Sequence, residues 1–311
     1  MTRKVIDYKD PEVRRSFIGG SDAAAVLGLS RYKTPLQVWA EKTGQIVPED
    51  ISEKINVKAG IYLEEFIAQL FTEKSGMKVR RANETFFHDE YEFLAVNLDR
   101  RIVGTDFFLE CKSTEVYNAK QWDGEEIPQE YIIQCLHGLA VTGMEKCYIA
   151  VLIGKNDFKW KEIQRDEKTI SSIVEQEVRF WNEFIVPVVM PTRMTANDAD
   201  TLYALFPNAK PETIIPLNDD VLKIIESRNA MIQDLKSLVS QIDQQENTIK
   251  AFLGENEGAE SEMFKVSWKN QSTKRIDTKL LKESEPSIYE KYSKESNTRV
   301  LRIKSKSEGK G

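Results

Sequence analysis

Between Ile55 and Lys112 the hydrophobic period of the chain changes once, and that change limits the folds open to it. From Ile55 to Lys74 the apolar residues Ala59, Leu63, Phe66, Ile67, Leu70 and Phe71 recur at three- and four-residue steps, and Gly76 follows. This pattern predicts a long amphipathic helix with a glycine stop. From Met77 onward the segments MKVRR, TFF, EFLAVNLDR and DFFLECK are short, aromatic and β-branched, with turn residues between them. They read as strands. A one-faced helix followed by strands buries its apolar stripe against a sheet.

The flanking segments extend this arrangement. Ser21 or Asp22 reads as the cap of a small-residue helix stopped by Gly28, and Thr34-Pro35 opens a second helix that Gly44 closes. Pro128 to Val141 reads as a helix stopped by Gly143. CYIAVLIG reads as a buried strand, FKWKEIQ as its partner, and 166–186 as a long helix. The predicted fold class is α/β: a mixed sheet with helices on both faces. Pro187, Pro191, Pro207, Pro211 and Pro216 then cluster in one stretch, which we read as a domain boundary. We assign 1–213 to the core domain, 214–255 to a helical arm and 256–311 to a small basic subdomain.

The arm is a heptad run. Val221, Arg228, Leu235, Ile242 and Ile249 take one core position; Ile224, Met231, Leu238, Gln245 and Phe252 take the other. Such a helix needs a partner surface. Packing back on the core domain or on its own tail, self-association and docking of a partner protein all satisfy it, although Arg228 and Gln245 argue against a long uninterrupted dimeric zipper. After it MFKVSWKN, KRIDTK and TRVLRIK read as basic strands.

Composition narrows the chemistry. Three cysteines without CxxC spacing and only two histidines, His88 and His137, exclude a disulfide framework, a zinc ribbon and the usual histidine relays. No signal-peptide core and no run of eighteen apolar residues is present, so the expected location is a reducing cytoplasm without membrane attachment. Catalysis in such a chain rests on carboxylates and lysines.

The most informative string is Leu109-Glu110-Cys111-Lys112, with Asp99 upstream. On a strand Glu110 and Lys112 share one face while Leu109 and Cys111 take the other, and a hairpin would bring Asp99 beside Glu110. Two converging carboxylates suit an oxygen-preferring divalent cation such as Mg²⁺. A lysine beside it can orient or help deprotonate the attacking water and offset charge building on a phosphate. Glu64 on the amphipathic helix offers a third carboxylate, and the Cys111 carbonyl a further oxygen. On the 128–142 helix, Gln134 shares a face with Tyr131 and can hold the lysine or the water. These residues also read more plainly, as a solvated Glu/Lys pair on an edge strand and a polar helical stripe.

Gly19-Gly20-Ser21-Asp22 is the second string, with Arg14 and Arg15 ahead of it. Glycines allow close backbone approach, and a helix start with a nearby guanidinium suits a terminal phosphate. A helix cap with a glycine hinge explains the same residues. The spacing excludes a nucleotide P-loop.

Taken in order, IGGSDAAAVLG, TPLQVW, GIYLEE, NLDR, LECK and YIIQCLHGLAVTG resemble the YqaJ-type viral recombinase family, phage-encoded relatives of lambda exonuclease, over about residues 10–190. The resemblance implies a restriction-endonuclease-like PD-(D/E)xK core and Mg²⁺-dependent cleavage of DNA, with Mn²⁺ as a substitute. It implies degradation of the 5′-ended strand of duplex ends. The exposed 3′ strand would pass to a single-strand annealing recombinase in a phage or prophage setting. It also implies a homo-oligomer, with a trimeric ring as one form. By this resemblance Asp99 and Glu110 match the metal-binding acids, Lys112 the catalytic lysine, Glu64 the helix-borne acid and Gln134 the helical glutamine. Arg14 and Ser21 match the pair on the 5′ phosphate. A nicking or structure-specific endonuclease of the same fold and a non-catalytic DNA-binding accessory protein are the alternatives.

Net charge bears on that expectation. The chain carries 44 Lys plus Arg against 50 Asp plus Glu, a formal −6, which taken whole argues against DNA. From residue 261 onward, however, 13 basic residues face 7 acidic ones. Some of the acidic surplus upstream is Asp99, Glu110 and Glu64, whose charge a metal would offset.

Overall fold

The computed structural model describes residues 2–7, 10–295 and 298–305. The last residues assigned to the basic subdomain, 306–311, lie outside them. The chain divides into two compact units, Met1–Pro207 and Asn208–Gly311.

The first unit opens with β1 (Thr2–Lys4), α1 (Pro11–Arg15), α2 (Gly20–Val26) and α3 (Pro35–Lys42). Thr34 Oγ1 accepts from the Gln37 amide at 3.1 Å and Pro35 fills the first helical position, so α3 starts as expected. The cap of α2 is instead Gly19, whose amide donates to Asp22 Oδ2 at 3.3 Å. Ser21 therefore falls inside the first turn. The long amphipathic helix is α4 (Ile55–Ser75), ended by Gly76 at φ 75°, a conformation that favours glycine.

The strands follow: β2 (Val79–Arg81), β3 (Thr85–Phe87), β4 (Ala95–Asn97), β5 (Arg100–Ile102) and β6 (Phe107–Thr114). EFLAVNLDR, expected as one strand, is two. β4 closes a three-stranded antiparallel sheet in the order β1-β3-β4, whereas β5 joins a second sheet. Asp99 occupies the bend between them. A short 3-10 helix (Val116–Trp122) leads to α5 (Gln129–Thr142), β7 (Lys146–Ile153) and β8 (Asp157–Gln164). The second sheet runs β2-β5-β6-β7-β8, with β6 and β7 parallel and the other neighbours antiparallel. The connection between the parallel strands carries α5, as parallel pairing demands.

Both faces of this sheet are covered. Ile67, Ala68 and Phe71 of α4 pack with Ile102, Leu109, Tyr148, Ala150 and Leu152. The larger core on the opposite side joins Phe108, Ile149 and Val151 to Ile133, Leu136 and Leu139 of α5 and to α2 and α3. The expected mixed sheet with helices on both faces is present. The helix expected over 166–186 is α6 (Glu167–Phe180), continued by a π-helical turn at Trp181–Ile185, and α7 (Ala199–Leu205) lies in the proline-rich stretch.

The second unit holds α8 (Asp219–Leu253), capped by Asn218 Oδ1 on the Val221 amide at 2.9 Å, and the hairpin β9 (Gly258–Glu260) and β10 (Lys265–Ser267). Of the three expected tail strands only MFKVSWKN supplies one. KRIDTK leads into α9 (Thr278–Ser284), α10 (Pro286–Tyr292) follows, and 298–304 forms no strand. Asp277 explains the first helix, since its carboxylate accepts from the Lys279 and Leu280 amides. Among the described residues no helix is long and apolar enough to cross a membrane.

Candidate active site

The site forms where β5 leaves β6. Register pairs Arg100 with Leu109 and Arg101 with Phe108, and no further pair follows toward Lys112. The next β6 amide on that edge, Cys111, is taken by a side chain: Asp99 Oδ2 accepts from it at 2.8 Å. In an extended strand the N–H and C=O of one residue face the same side. The Cys111 carbonyl therefore points to the edge that Asp99 occupies.

Strand alternation places Glu110 and Lys112 on the α5 face of the sheet and Leu109 and Cys111 on the α4 face. Glu110 is not a surface residue: α5 covers it and leaves it 5% exposed. Lys112 Nζ lies 2.8 Å from Glu110 Oε1 and donates to Gln134 Oε1 at 3.0 Å. Gln134 Nε2 donates to Glu110 Oε1 at 2.6 Å. One amide thus holds the acid and the lysine together. Tyr131, one turn earlier on α5, places its ring 5.0 Å from Lys112 Nζ, and its hydroxyl meets that of Tyr32 at 3.3 Å.

A glycine sets the height of α5. A Cβ on Gly138 would stand 2.9 Å from the Phe108 ring, so only a bare α-carbon lets the helix settle there. Gln134 lies one turn before Gly138, and Glu110 lies two residues after Phe108 on the same strand face. That contact brings the two polar residues into register. Gly20 backs the arrangement from α2, where an added Cβ would stand 3.3 Å from Gln134 Cγ. The close approach expected of the double glycine is made to α5.

Electrostatics tie the group together. Burial and the neighbouring Glu110 charge push the Asp99 carboxyl well above the usual carboxylate range, against the pull of Lys112. For Lys112 burial acts downward, but Glu110 and Asp99 outweigh it and hold the amine as an ammonium. The Cys111 thiol is pushed up by burial and the same two acids, which keeps it protonated.

The other expected residues are placed differently. Glu64 is committed to Arg100: a guanidinium nitrogen, Nη1, bonds Glu64 Oε1, and the other, Nη2, reaches Glu65 Oε2 at 3.1 Å. Arg100 Nη1 also donates to the Asp99 carbonyl at 2.6 Å. Glu64 thus braces the Asp99 bend, and its charge still raises the Asp99 carboxyl. Arg14 and Ser21 are exposed on α1 and α2. Between them runs a buried pair, Lys42 Nζ to Asp22 Oδ2 at 2.7 Å, with the same ammonium donating to the Arg14 carbonyl at 2.7 Å. Lys33 adds a longer contact to Asp22 at 3.4 Å. Asp106 sits in the β5–β6 turn beside Arg101.

Sequence reading had no role for Arg100, Lys33, Lys42 or Tyr32. Arg100 directly follows Asp99, and a basic residue next to a candidate acid was the signal available. Lys33, Lys42 and Tyr32 carried none, because their partners are distant in the chain.

Among the described residues no three His, Cys, Asp or Glu side chains gather as a metal cage. The donor set still suits a hard cation. Two carboxylates and a carbonyl are what Mg²⁺ takes from protein while it keeps several waters. Burial is the largest cause of the upward push on Asp99, and the Glu110 and Glu64 charges that add to it are ones a cation would offset.

Residues 11–145 match the model of the family described as YqaJ-like viral recombinase domain. The uncharacterized protein YqaJ of Bacillus subtilis (strain 168) is 40% identical over 294 residues, covering 94% of this chain and 92% of the relative. Among solved structures, an alkaline exonuclease from Laribacter hongkongensis is similar with TM-score 0.48 at 16% identity, over 56% of this chain and 91% of that one. A phage-related exonuclease from Haemophilus somnus 129PT is similar with TM-score 0.37 at 14% identity, over 55% and 96%.

Proposed function

The chain belongs to the YqaJ-like viral recombinase family, and from that premise we propose that it is a divalent-metal-dependent DNA nuclease acting at the Asp99–Glu110–Lys112 site. The observation that carries this reading is the Gln134 amide, which clasps Glu110 and Lys112 beside an acid locked on the Cys111 amide.

Asp99, Glu110 and the Cys111 carbonyl are the residues to hold the cation. Bound there, Mg²⁺ or Mn²⁺ supplies Lewis-acid polarisation of the phosphate and a more acidic water. Without a cation, the Glu110 and Asp99 charges outweigh burial and hold Lys112 as an ammonium. It orients the attacking water and offsets charge developing on the phosphoryl oxygens. Gln134 fixes the direction of that ammonium. Glu64 acts through Arg100, steadying the bend that aims Asp99. We assign Arg14 and Ser21 to a terminal 5′ phosphate, a role that their exposure on α1 and α2 supports. That would make the enzyme an exonuclease of the 5′-ended strand and supply 3′ single strand to an annealing recombinase.

The test is digestion of an end-labelled, 5′-phosphorylated linear duplex with and without Mg²⁺, beside a covalently closed circle. We expect metal-dependent loss of the 5′-ended strand of the linear substrate only. Lys112→Ala should slow it by about 10²-fold or more. Cutting of the circle would overturn the exonuclease reading, and full activity of Lys112→Ala would overturn the site.

A further inference from the structure

The second unit presents a 35-residue helix, α8, whose apolar stripe is open to solvent. All eight apolar side chains at its two core heptad positions are exposed, from Val221 at 38% to Phe252 at 79%. We propose that α8 pairs with α8 of a second copy of this chain as an antiparallel two-stranded coiled coil.

The polar residues within the stripe select the occupant and its direction. In a parallel pair, equivalent core residues meet, and Arg228 would face Arg228 of the partner subunit inside the seam. Like charges there are destabilising. An antiparallel pair instead sets one core position against the other. With its twofold axis between Lys236 and Ser237, Leu235 meets the partner's Leu238 at the centre and Val221 meets the partner's Phe252 at each end. In that full-overlap register Arg228 falls opposite the partner's Gln245, whose amide oxygen accepts from a guanidinium. The only two polar core residues thus meet each other twice, and every apolar core residue meets an apolar one. A contact in which each patch reciprocates the other is the isologous arrangement of twofold dimers. The polar pair lowers stability but specifies register.

The flanks agree. Beside the core, the e position holds Ile225, Ile232, Val239, Glu246 and Leu253, apolar at all but Glu246, while the g position is polar from Ser227 to Thr248. A parallel pair lays e against the partner's g, an apolar side chain on a polar one. The antiparallel pair lays e against e and widens the apolar seam. A helix of this length spans roughly 50 Å, and an apolar seam that long approaches the ~800 Å² per partner of a standard interface. Such a dimer carries two copies of the first unit's site.

Sedimentation of the full chain and cysteine cross-linking test this without reference to nuclease activity, so either reading can fail alone. Leu235→Glu with Leu238→Glu should halve the particle mass while far-ultraviolet circular dichroism shows α8 retained. Arg228→Cys with Gln245→Cys should give a covalent dimer under mild oxidation on a denaturing gel. Arg228→Cys alone should not, with wild type as the control for Cys111, Cys135 and Cys147. A monomeric wild type, an unchanged mass in the Leu variant, or no cross-link from the cysteine pair overturns the proposal. Cross-linking through Arg228→Cys alone overturns the antiparallel order.

Discussion

Gly138 of α5 rests on the ring of Phe108 so closely that a Cβ there would stand 2.9 Å from it. The contact lies deep in the core and fixes how far Gln134 reaches toward Glu110. Gly138→Ala should cost about 2 kcal/mol, because the buried Phe108 ring cannot yield without a shift of helix or strand. It should also reduce DNA cleavage more than the stability loss explains. Thermal melting and turnover of Gly138→Ala, against Gly138→Ala with Phe108→Leu, check this. Recovery of both by the smaller side chain is the expected outcome.

Arg100 has a 4% exposed side chain, whereas the acids gripping it are partly open to water. The two halves of the network should therefore respond unequally. Replacing Glu64 and Glu65 together by Ala leaves a buried guanidinium short of partners and should cost about 3 kcal/mol. Arg100→Met leaves two hydrated carboxylates and should cost roughly half as much. Urea denaturation of both variants measures the asymmetry, and equal losses would contradict it.

Asp22 sets an acid limit. Burial raises its carboxyl, but Lys42 and Lys33 outweigh that and hold it well below the usual range. A depressed folded value means the stabilisation is present above the unfolded value of about 3.9 and is lost as pH falls through the folded one. Asp22→Asn should lower stability at pH 7 by about 3 kcal/mol, since Lys42 stays buried without its counter-charge. The variant should also lose less stability on acidification than wild type. Melting temperatures between neutral pH and strong acid read both effects.

His137 sets the opposite limit. It is fully buried, with Nδ1 2.8 Å from Glu177 Oε1 and Nε2 3.0 Å from the Ala95 carbonyl. Burial acts against its charge, but Glu177 and these acceptors prevail and raise its value. The stabilisation is then complete below the unfolded value of about 6.5 and fades as pH rises through the folded one. Glu177→Gln should weaken the protein at pH 6 and flatten the decline above it, as followed by melting from pH 6 to 9.

Much of the fold was legible from local pattern. The period of α4, the Thr34-Pro35 start of α3 and the glycines after α4 and α5 depend on neighbours within a turn, so they appear where the residues predict them. Glu110 and Lys112 share a face for the same reason, since strand alternation is local. EFLAVNLDR could not be divided in the same way. Its halves are equally strand-like, and they part at Asp99 because one finds β3 and the other finds β2 and β6 as partners. The tail misled because basic, β-branched strings such as TRVLRIK remain strands only where an edge receives them.

The site divides along the same line. Residue type and spacing were enough to nominate Asp99, Glu110, Lys112 and Gln134, because strand and helix periodicities fix which side chains travel together. The engagement of Glu64 by Arg100, the burial of Glu110 under α5 and the Lys42–Asp22 pair between Arg14 and Ser21 were not written in any local pattern. Each joins residues from separate elements, and its geometry depends on how closely those elements approach. The bare α-carbon of Gly138, where an added Cβ would stand 2.9 Å from the Phe108 ring, governs that approach for α5. Periodicity states which face a residue occupies, and only packing between distant segments states what that face meets.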